Sequence, residues 1–495
     1  MTNDGSEIKG ERSGGGMSRA VLLNVSAFLA LVVVLGLIAV VNYEDYNDNM
    51  VYSLPVQQHR TNQNTRGGGQ QPPELMQQAS LASSSSAAFS QPKNKEERVL
   101  WEDEDGEFPE YTGGIDIDID NSPRRRLTTT ENLMDTSTCQ PEVEPLVGKK
   151  KVLVTGGGGF IGSHVAEALL ERGDDVVIVD EMNDYYDPAI KWTNIRNLQK
   201  KYGVERCKFF QYDFTKFDPM WNIFKKEKIQ FVAHIGARAG VRPSIENPYL
   251  YIHSNIKGTT KLLEVARLFS IQNFVYASSS SVYGLSQSTK FKEDEKCDKP
   301  VSPYAATKRS TELLAHSYSA SYQLNVTGLR FFTVFGPRGR PDMAPFKFVD
   351  RVSQRQSIDM FGDGRTSRDY TYIDDIVNGV VRALDRPHKT QVFNLGQGGG
   401  AKLAEFIGLV EKHTGKKAII NRMPMQLGDV PYTSADVSKA YCYLGYVPTV
   451  TLDEGLRKTV EWYNATYLTR GGYKAVQKEK SFAELSVGVS ISKAF

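Results

Sequence analysis

The sequence has 495 residues, which is enough for two or three domains of ordinary size. Its hydrophobic share of 40% is close to the norm for soluble globular domains, and 60 basic against 58 acidic residues give a net charge of +2. Because nucleic-acid binding requires a basic patch or excess, this balance gives no reason to expect a nucleic-acid partner.

The first predicted element is an apolar segment, residues 20–41, which contains no charged residue. As a helix, its 22 residues would extend about 33 Å, enough to cross the roughly 30 Å hydrocarbon core of a bilayer. A cleaved signal peptide is the alternative, but its apolar region is usually only about 7–15 residues long. The segment therefore predicts a transmembrane signal anchor.

The charges around this segment predict its orientation. Lys9, Arg12 and Arg19 precede it, whereas residues 42–59 contain neither lysine nor arginine. The positive-inside rule then leaves the tail, residues 1–19, in the cytosol and translocates the rest. We expect a single-pass type II membrane protein, with the Golgi as the expected organelle and the catalytic domain in its lumen. Glycosylation triplets at Asn325 and Asn464 are compatible with that location.

Residues 42–148 are rich in glutamine, glycine, proline, serine and charge, so they cannot bury enough apolar surface to offset their ordering entropy. They predict a flexible stem, and residues 468–495 a C-terminal tail. The four cysteines are far apart, with no Cys-x-x-Cys pair and no histidine at ligand spacing. We expect no metal site and interpret the cysteines as separate thiols, although the sequence leaves one disulfide open.

From residue 149 onward, strands and helices alternate. Apolar runs predict strands, and helical spacing predicts helices between them, at residues 151–155, 160–172, 175–180, 231–235, 255–269, 273–277, 304–322 and 325–330. This alternation predicts an α/β fold, a Rossmann doubly wound parallel sheet covered on both faces, in residues 149–335. After Pro337 the pattern becomes irregular, apart from an amphipathic stretch at 402–414. Residues 336–467 are therefore expected to form mainly a smaller substrate-binding lobe, interleaved with the end of the sheet.

A glycine-rich turn follows the first predicted strand and opens the first helix. Gly156, Gly159 and Gly162 allow a tight turn and close approach of the backbone to a pyrophosphate at a helix N-terminus. Asp180 lies 18 residues after Gly162, at the end of the next strand, where a ribose-binding acid is expected. A carboxylate there favours NAD over NADP. The alternative, a glycine-rich surface loop, does not explain this context.

A second group of residues has the pattern of a redox site. Tyr304 and Lys308 are four residues apart and therefore share one helical face, while Ser279 lies near the end of a strand. A phenol has a pKa of about 10, and a neighbouring ammonium favours its ionised form. Tyr304 could then accept a hydroxyl proton as hydride leaves carbon. Tyr-x-x-x-Lys alone is common on solvated helices, so the prediction depends on the preceding glycine turn and serine-rich strand end.

Longer stretches in the same order identify a resemblance. The chain from about residue 149 to 467 resembles the extended short-chain dehydrogenase/reductases, and within them the nucleotide-sugar 4-epimerases, most closely those that act on UDP-glucuronate. The stretches that carry the resemblance are residues 155–164, 183–189, 239–243, 279–284, 302–309, 330–344 and 368–376.

The resemblance implies roles for individual residues. Tyr304 would be the proton acceptor, Lys308 would lower its pKa and hold the nicotinamide ribose, and Ser279 would be the catalytic serine. Further contacts to NAD would come from Gly156, Gly159, Phe160, Ile161, Gly162, Asp180, Asp213, Phe214 and Asn255. The UDP-sugar would be contacted by Ser279, Thr333, Arg340, Arg368 and Asp429. The resemblance also suggests a homodimer formed through paired helices, one of which carries Tyr304 and Lys308.

The same resemblance implies a reaction. Family members transfer hydride from carbon 4 of the sugar to NAD, and nearby acids then direct elimination or decarboxylation in some of them. Residues 279–284, Ser-Ser-Ser-Val-Tyr-Gly, lack those acids. We therefore expect the 4-keto sugar to rotate and take hydride back on its other face, converting UDP-glucuronate to UDP-galacturonate. An NAD-binding protein without catalysis is a less favoured reading, because Ser279, Tyr304 and Lys308 are intact.

The prediction of the substrate depends on fewer residues than the prediction of the reaction. Arg340 matches the position that meets the uronate carboxylate, and a guanidinium is suited to bidentate capture of that group. The alternative is that Arg338 and Arg340 only brace the loop or contact phosphate, and UDP-glucose or UDP-N-acetylglucosamine then remain possible substrates. Two departures from the family pattern lie nearby: Arg238 replaces the commoner glutamine, and Glu181-Met182 replaces the commoner Asn-Phe.

Overall fold

The computed structural model of the chain describes residues 143–425 and 430–468. The predicted anchor (20–41), nearly all of the predicted stem, the predicted tail beyond 468 and Asp429 lie outside the described residues. Within the described ranges, no helix is both long enough and apolar enough to span a membrane.

Strands and helices alternate over most of these residues. The strands, in chain order, are β1 (Lys151–Thr155), β2 (Asp175–Val179), β3 (Cys207–Phe210), β4 (Phe231–His234), β5 (Asn273–Ser279), β6 (Val326–Phe331), β7 (Thr333–Phe335), β8 (Ser357–Phe361), β9 (Ser367–Arg368), β10 (Tyr370–Tyr372), β11 (Thr390–Leu395), β12 (Ala401–Lys402) and β13 (Ile419–Met423). The α-helices are α1 (Phe160–Glu171), α2 (Pro188–Tyr202), α3 (Phe217–Glu227), α4 (Val241–Glu246), α5 (Pro248–Tyr251), α6 (Thr259–Leu268), α7 (Pro303–Tyr322), α8 (Ala344–Ser353), α9 (Ile373–Asp385), α10 (Leu403–Thr414), α11 (Ser438–Leu444) and α12 (Leu452–Trp462). A π-helical turn, Ile252–Gly258, joins α5 to α6.

Seven strands form one parallel sheet in the order β11-β6-β5-β4-β1-β2-β3. Successive side chains of a strand point to opposite faces. Leu153 packs into one apolar cluster, whereas its neighbours Val152 and Val154 pack into another. The sheet is therefore buried on both faces, as expected of parallel strands. The predicted Rossmann-type α/β class is confirmed.

Residues 336–467 contribute to the sheet as well as to a smaller lobe. Strand β11 pairs in parallel with β6, and α9 packs against α1. The other strands of this part form two-stranded pairs, β10 with β7, β12 with β9 and β13 with β8. If the chain were divided into two domains at residue 335, β11 would therefore be separated from the sheet to which it belongs.

A buried ion pair fixes α7 against the sheet. Both Glu312 on α7 and Arg330 on β6 are almost completely buried, and Arg330 donates to the two carboxylate oxygens at 2.9 Å each. Ser278 donates to the same carboxylate at 2.6 Å, and Arg309 at 2.8 Å. The negative charge is therefore compensated by several donors.

The cysteines differ from one another. Cys207 and Cys297 are buried free thiols. Cys442, on α11, is disulfide-bonded. The prediction of separate thiols is therefore wrong for Cys442, and the disulfide that the sequence left open is present there.

Candidate active site

One cavity of about 710 Å³ lies at the carboxyl edge of the sheet, where open α/β sheets bind ligands. It brings together most of the predicted site residues from distant parts of the sequence. Those that line it are Gly156, Gly159, Phe160, Ile161, Gly162, Asp180, Asp213, Phe214, Ser279, Tyr304, Lys308, Thr333, Arg340 and Arg368.

The glycine turn has no space for side chains at two of its positions. A Cβ atom on Gly162 would lie 2.2 Å from the carbonyl oxygen of Gly156, and one on Gly156 would lie 2.6 Å from the Cα of Gly236. Gly156 also has a φ of +66°, which favours glycine. Helix α1 begins directly after Gly159 without a side-chain cap, so its first amide groups face the cavity side of the turn. This cradle fits the diphosphate of a dinucleotide.

Asp180 lies directly after β2 and is 6% exposed. Its carboxylate accepts hydrogen bonds from the backbone of Gly158 at 3.1 Å and of Met182 at 2.9 Å, which ties the glycine turn to the next strand. The remaining lone pairs can accept from ribose hydroxyls. The 2′-phosphate of NADP would be repelled by this negative charge. The residues present therefore fit NAD better than NADP.

Tyr304 lies in the first turn of α7, whose N-terminus is capped by Ser302, the side chain of which accepts from Ala305 at 3.1 Å. Burial raises the pKa of the Tyr304 phenol, while the hydrogen bond with Ser279 and the positive charge of Arg340 act in the opposite direction. The lowered pKa that the sequence suggested is therefore not found in the chain alone, because desolvation outweighs the favourable neighbours.

Lys308 lies one turn further along α7, on the same face as Tyr304. Its ammonium donates to the carbonyl oxygen of Ala277 at 2.7 Å and lies 6.0 Å from the centroid of the Tyr304 ring. Burial lowers the pKa of Lys308 to about 8, and the charge of Glu312 partly opposes this. The ammonium is therefore hydrogen-bonded to the end of β5.

Arg340 and Arg338 have different surroundings although they are two residues apart. Arg338 is directed away from the cavity and contacts α1, donating to Glu167 at 2.7 Å and to His164 at 3.2 Å. Arg340 lines the cavity and donates to both carboxylate oxygens of Asp342, at 3.0 and 2.6 Å. Arg338 therefore braces the loop against α1, whereas Arg340 pairs within the loop at the cavity wall, and its predicted contact with the uronate stays a prediction.

The remaining predicted substrate residues lie on the lobe side of the cavity. Thr333 begins β7, and Arg368 ends β9 and donates to the carbonyl oxygen of Ser367 at 2.9 Å. Asp429 lies outside the described residues, so its predicted contact with the uridine ribose stays a prediction.

Asn255 is hydrogen-bonded to the loop that follows β4. It is 2% exposed and does not line the cavity. Its side-chain oxygen accepts from the backbone amide of Arg238 at 2.8 Å, and its amide donates to the Arg238 carbonyl at 2.9 Å and to Thr307 at 3.0 Å. These bonds hold the loop that follows β4, and the predicted direct contact of Asn255 with the cofactor stays a prediction.

Sequence reasoning assigned no role to several side chains that line the cavity: Glu181, Tyr185, Tyr186, Lys191, Arg238 and Asp342. The two tyrosines lie in the stretch 183–189, which carried part of the family resemblance. The ring of Tyr185 lies 5.2 Å from the guanidinium carbon of Arg340, so that stretch folds back over the substrate side of the site. Contacts of this kind, which span a long sequence separation, could not be read from the sequence.

Residues 152–396 match the NAD dependent epimerase/dehydratase family. The UDP-glucuronate 4-epimerase of Thermodesulfobacterium geofontis is 44% identical, over 63% of this chain and 95% of that protein. UDP-glucuronate 4-epimerase 4 of Arabidopsis thaliana is 43% identical, over 64% of this chain and 76% of that protein.

Two solved structures are similar in fold and sequence. UDP-glucuronic acid 4-epimerase from Bacillus cereus, in complex with UDP-glucuronic acid and NAD, has a TM-score of 0.60 and 36% identity, and covers 64% of this chain and 100% of that one. UDP-glucose 4-epimerase from Thermotoga maritima, with UDP-glucose, has a TM-score of 0.59 and 31% identity, and covers 64% and 99%.

Proposed function

Because this chain belongs to the NAD dependent epimerase/dehydratase family, we propose that it interconverts UDP-glucuronate and UDP-galacturonate by NAD-dependent epimerisation at carbon 4. The observation that carries the proposal is one cavity in which a dinucleotide-fitting glycine turn, the Ser279–Tyr304 pair and the guanidinium of Arg340 face one another.

Several residues of the chain would have separate roles in such a reaction. NAD, when bound, accepts a hydride and returns it. Tyr304 would take the proton from the sugar hydroxyl and give it back, and the Ser279 hydroxyl would bridge phenol and sugar. Lys308 would hold the nicotinamide ribose, as the resemblance implies, while its charge favours an electron-rich phenol.

The serine run at the end of β5 supports inversion over elimination. Ser279 and Ser281 are hydrogen-bonded through their hydroxyls at 3.1 Å, and residues 279–281 carry no carboxylate. Elimination of water requires an acid or base at the reacting carbons. With hydroxyls alone at this strand end, the 4-keto sugar would take hydride back on one face or the other.

A 4-epimerase for UDP-glucose is the second candidate, because the Thermotoga maritima relative carries that name. Arg340 supports the uronate, because its guanidinium lines the cavity and is of the type that captures carboxylates. In the structure its fork is occupied by Asp342, so a uronate carboxylate would have to share or replace that pair. Positive charge on Arg340 also acts on Tyr304, so the two groups lie near one another.

The test is to incubate the purified protein with UDP-glucuronate and, separately, with UDP-glucose, and to identify products by nuclear magnetic resonance. We expect UDP-galacturonate from the first and much slower turnover of the second. Arg340→Ala should reduce uronate turnover far more than neutral-sugar turnover, and the exposed Arg365→Ala serves as a matched control. Equal losses on both substrates would contradict the substrate assignment, and formation of UDP-xylose would contradict epimerisation.

The proposal includes a homodimer formed through α7 and the neighbouring helix α6 with its preceding π-helical turn. Leu313 and Tyr322 on α7 are 56% and 52% exposed, and Ile252 in the turn is 47% exposed. Exposed apolar side chains on these elements support a protein contact there.

We also propose a type II anchor with the catalytic domain in the Golgi lumen. The uncharged segment 20–41 with its flanking charges supports it, as does the disulfide at Cys442, because disulfides persist mainly in oxidising compartments. Asn464 is exposed and available for glycosylation. In intact microsomes, added protease should leave the catalytic domain uncut, and Asn464→Gln should abolish a glycosidase-sensitive mobility shift. Digestion without detergent would contradict the topology.

A further inference from the structure

The two segments that depart from the family pattern contact each other. Glu181 follows β2 and Arg238 follows β4, and in the sheet these two strands lie on either side of β1. The glycine turn leaves the carboxyl end of β1. A contact between Glu181 and Arg238 therefore passes over that turn.

The contact is a well-defined ion pair. A guanidinium nitrogen of Arg238 lies 2.9 Å from a carboxylate oxygen of Glu181, and the two side chains are 16% and 31% exposed. Both ends are held in place. Asn255 binds the amide and the carbonyl of Arg238, and Asn183 donates to the Glu181 carboxylate.

The pair and the turn enclose the same part of the cavity. Glu181, Arg238 and the turn residues Gly156 and Gly159 all line it. The loop after β4 is close to the turn, since a Cβ on Gly156 would lie 2.6 Å from the Cα of Gly236. A dinucleotide whose diphosphate sits on the turn would therefore lie beneath the ion pair.

Arg238 also has an unpaired hydrogen-bond donor. Its Nε atom is buried and finds no hydrogen-bond acceptor within the described residues. A buried guanidinium N–H without an acceptor is costly, and a phosphate oxygen is the acceptor that best suits it. Nε itself does not face the cavity, but other atoms of Arg238 line the cavity wall, so a small turn of the guanidinium would bring a donor to a ligand there.

We propose that the Glu181–Arg238 ion pair is a strap that closes over the diphosphate of bound NAD, with the guanidinium of Arg238 donating to a diphosphate oxygen and Glu181 holding the guanidinium in place. The strap slows release of the dinucleotide. A cofactor that is oxidised and reduced again within each cycle does not need to leave, so retention is compatible with the proposed function, on which this inference rests for its choice of cofactor.

The experiment measures NAD release without any sugar. The full chain is loaded with radiolabelled NAD, free nucleotide is removed, and loss of label is followed after addition of excess unlabelled NAD. Arg238→Gln should accelerate release by about 10–100-fold, because it removes both the pair and a charge-assisted hydrogen bond. Glu181→Asn should accelerate it by about 2–5-fold, because it removes only the partly exposed pair. Arg457→Gln, which removes an arginine remote from the cavity, is the matched control.

The double variant decides whether the two residues act together. If they form one strap, Glu181→Asn/Arg238→Gln should release NAD no faster than Arg238→Gln alone. Multiplied effects, or a fast Arg238→Gln with an unchanged Glu181→Asn, would overturn the strap, and unchanged release in both single variants would overturn any role in retention. Equal far-ultraviolet circular dichroism spectra of the variants check that each one folds. Since no sugar is present, failure of the epimerase assay leaves this result standing, and the reverse also holds.

Discussion

Tyr304 is subject to opposing influences: burial raises its pKa, and Ser279 and Arg340 lower it. Its hydroxyl has no evident part in the packing of α7, so a substitution there isolates the chemistry. Tyr304→Phe should reduce turnover by about 100–10,000-fold, the usual contribution of a positioned acid–base group. The measurement is the initial rate of UDP-galacturonate formation together with NAD content, which should be unchanged.

The matched control is Tyr251→Phe. The ring of Tyr251 lies 6.1 Å from that of Tyr304, and its hydroxyl donates to the carbonyl oxygen of Ala239 at 3.2 Å. This variant removes a neighbouring phenol without removing the proton acceptor, so it should retain most of the turnover. Comparable losses in both variants would contradict the role given to Tyr304.

His234 makes stability depend on pH. Thr155 accepts from the backbone amide of Gly236 at 3.0 Å, so its hydroxyl is free to donate to Nδ1 of His234 at 2.7 Å. Nε2 then carries the proton and donates to Thr259 at 2.9 Å. Burial, followed by the charge of Lys308, lowers the pKa of His234 to about 3. The folded histidine is neutral at neutral pH.

The direction in which pH changes the stability follows from proton uptake. Between pH 6.5 and about 3 the unfolded chain binds a proton at this histidine and the folded chain does not, so the free energy of unfolding falls as pH falls, by up to about 1.4 kcal/mol per pH unit. Chemical denaturation between pH 7 and 5 should show this slope. His234→Gln should reduce it, whereas exposed His316→Gln should not, and equal slopes in both variants would contradict the assignment.

Helix α7 carries Tyr304 and Lys308, and its position depends on Glu312. Glu312→Ala would leave Arg330, 1% exposed, as an uncompensated buried charge. We expect a loss of about 3–5 kcal/mol in the free energy of unfolding, measured by urea denaturation. The exposed pair of Glu454 and Arg457 on α12 provides the control, since Glu454→Ala should cost far less than Glu312→Ala. Similar costs would show that burial of the α7 pair is unimportant.

At the level of elements, the sequence predicted much of the fold because its signals are local. The apolar runs at 151–155 and 175–180 and the helical spacing at 304–322 correspond to β1, β2 and α7 within a residue or two. Membership of the 4-epimerases and the use of NAD are likewise confirmed. Contacts between distant segments were not predictable. The hydrogen bonds of Asn255 to Arg238, the Arg340–Asp342 pair and the contact of Tyr185 with Arg340 depend on how loops meet at the sheet edge, which no periodicity encodes.

At the scale of the whole molecule, the proposed dimer can be tested through α7. Leu313→Asp would place a charge in a contact that should be apolar, so this variant should sediment as a monomer while the unaltered protein sediments as a dimer. Ile420→Asp is the control, because Ile420 is a 42% exposed apolar residue on β13, in the lobe. Analytical ultracentrifugation distinguishes the outcomes. A Leu313→Asp protein that remains dimeric would place the interface elsewhere.

The cross-link at Cys442 bears on how the protein should be produced. Thioredoxin and glutathione keep thiols reduced in an ordinary bacterial cytosol, so protein made there would carry Cys442 as a thiol and differ covalently from the described molecule. Cys207 and Cys297, both buried, would be the same in either preparation. Expression through a secretory route, or in a host strain with an oxidising cytosol, is therefore the appropriate source of material for every measurement described above.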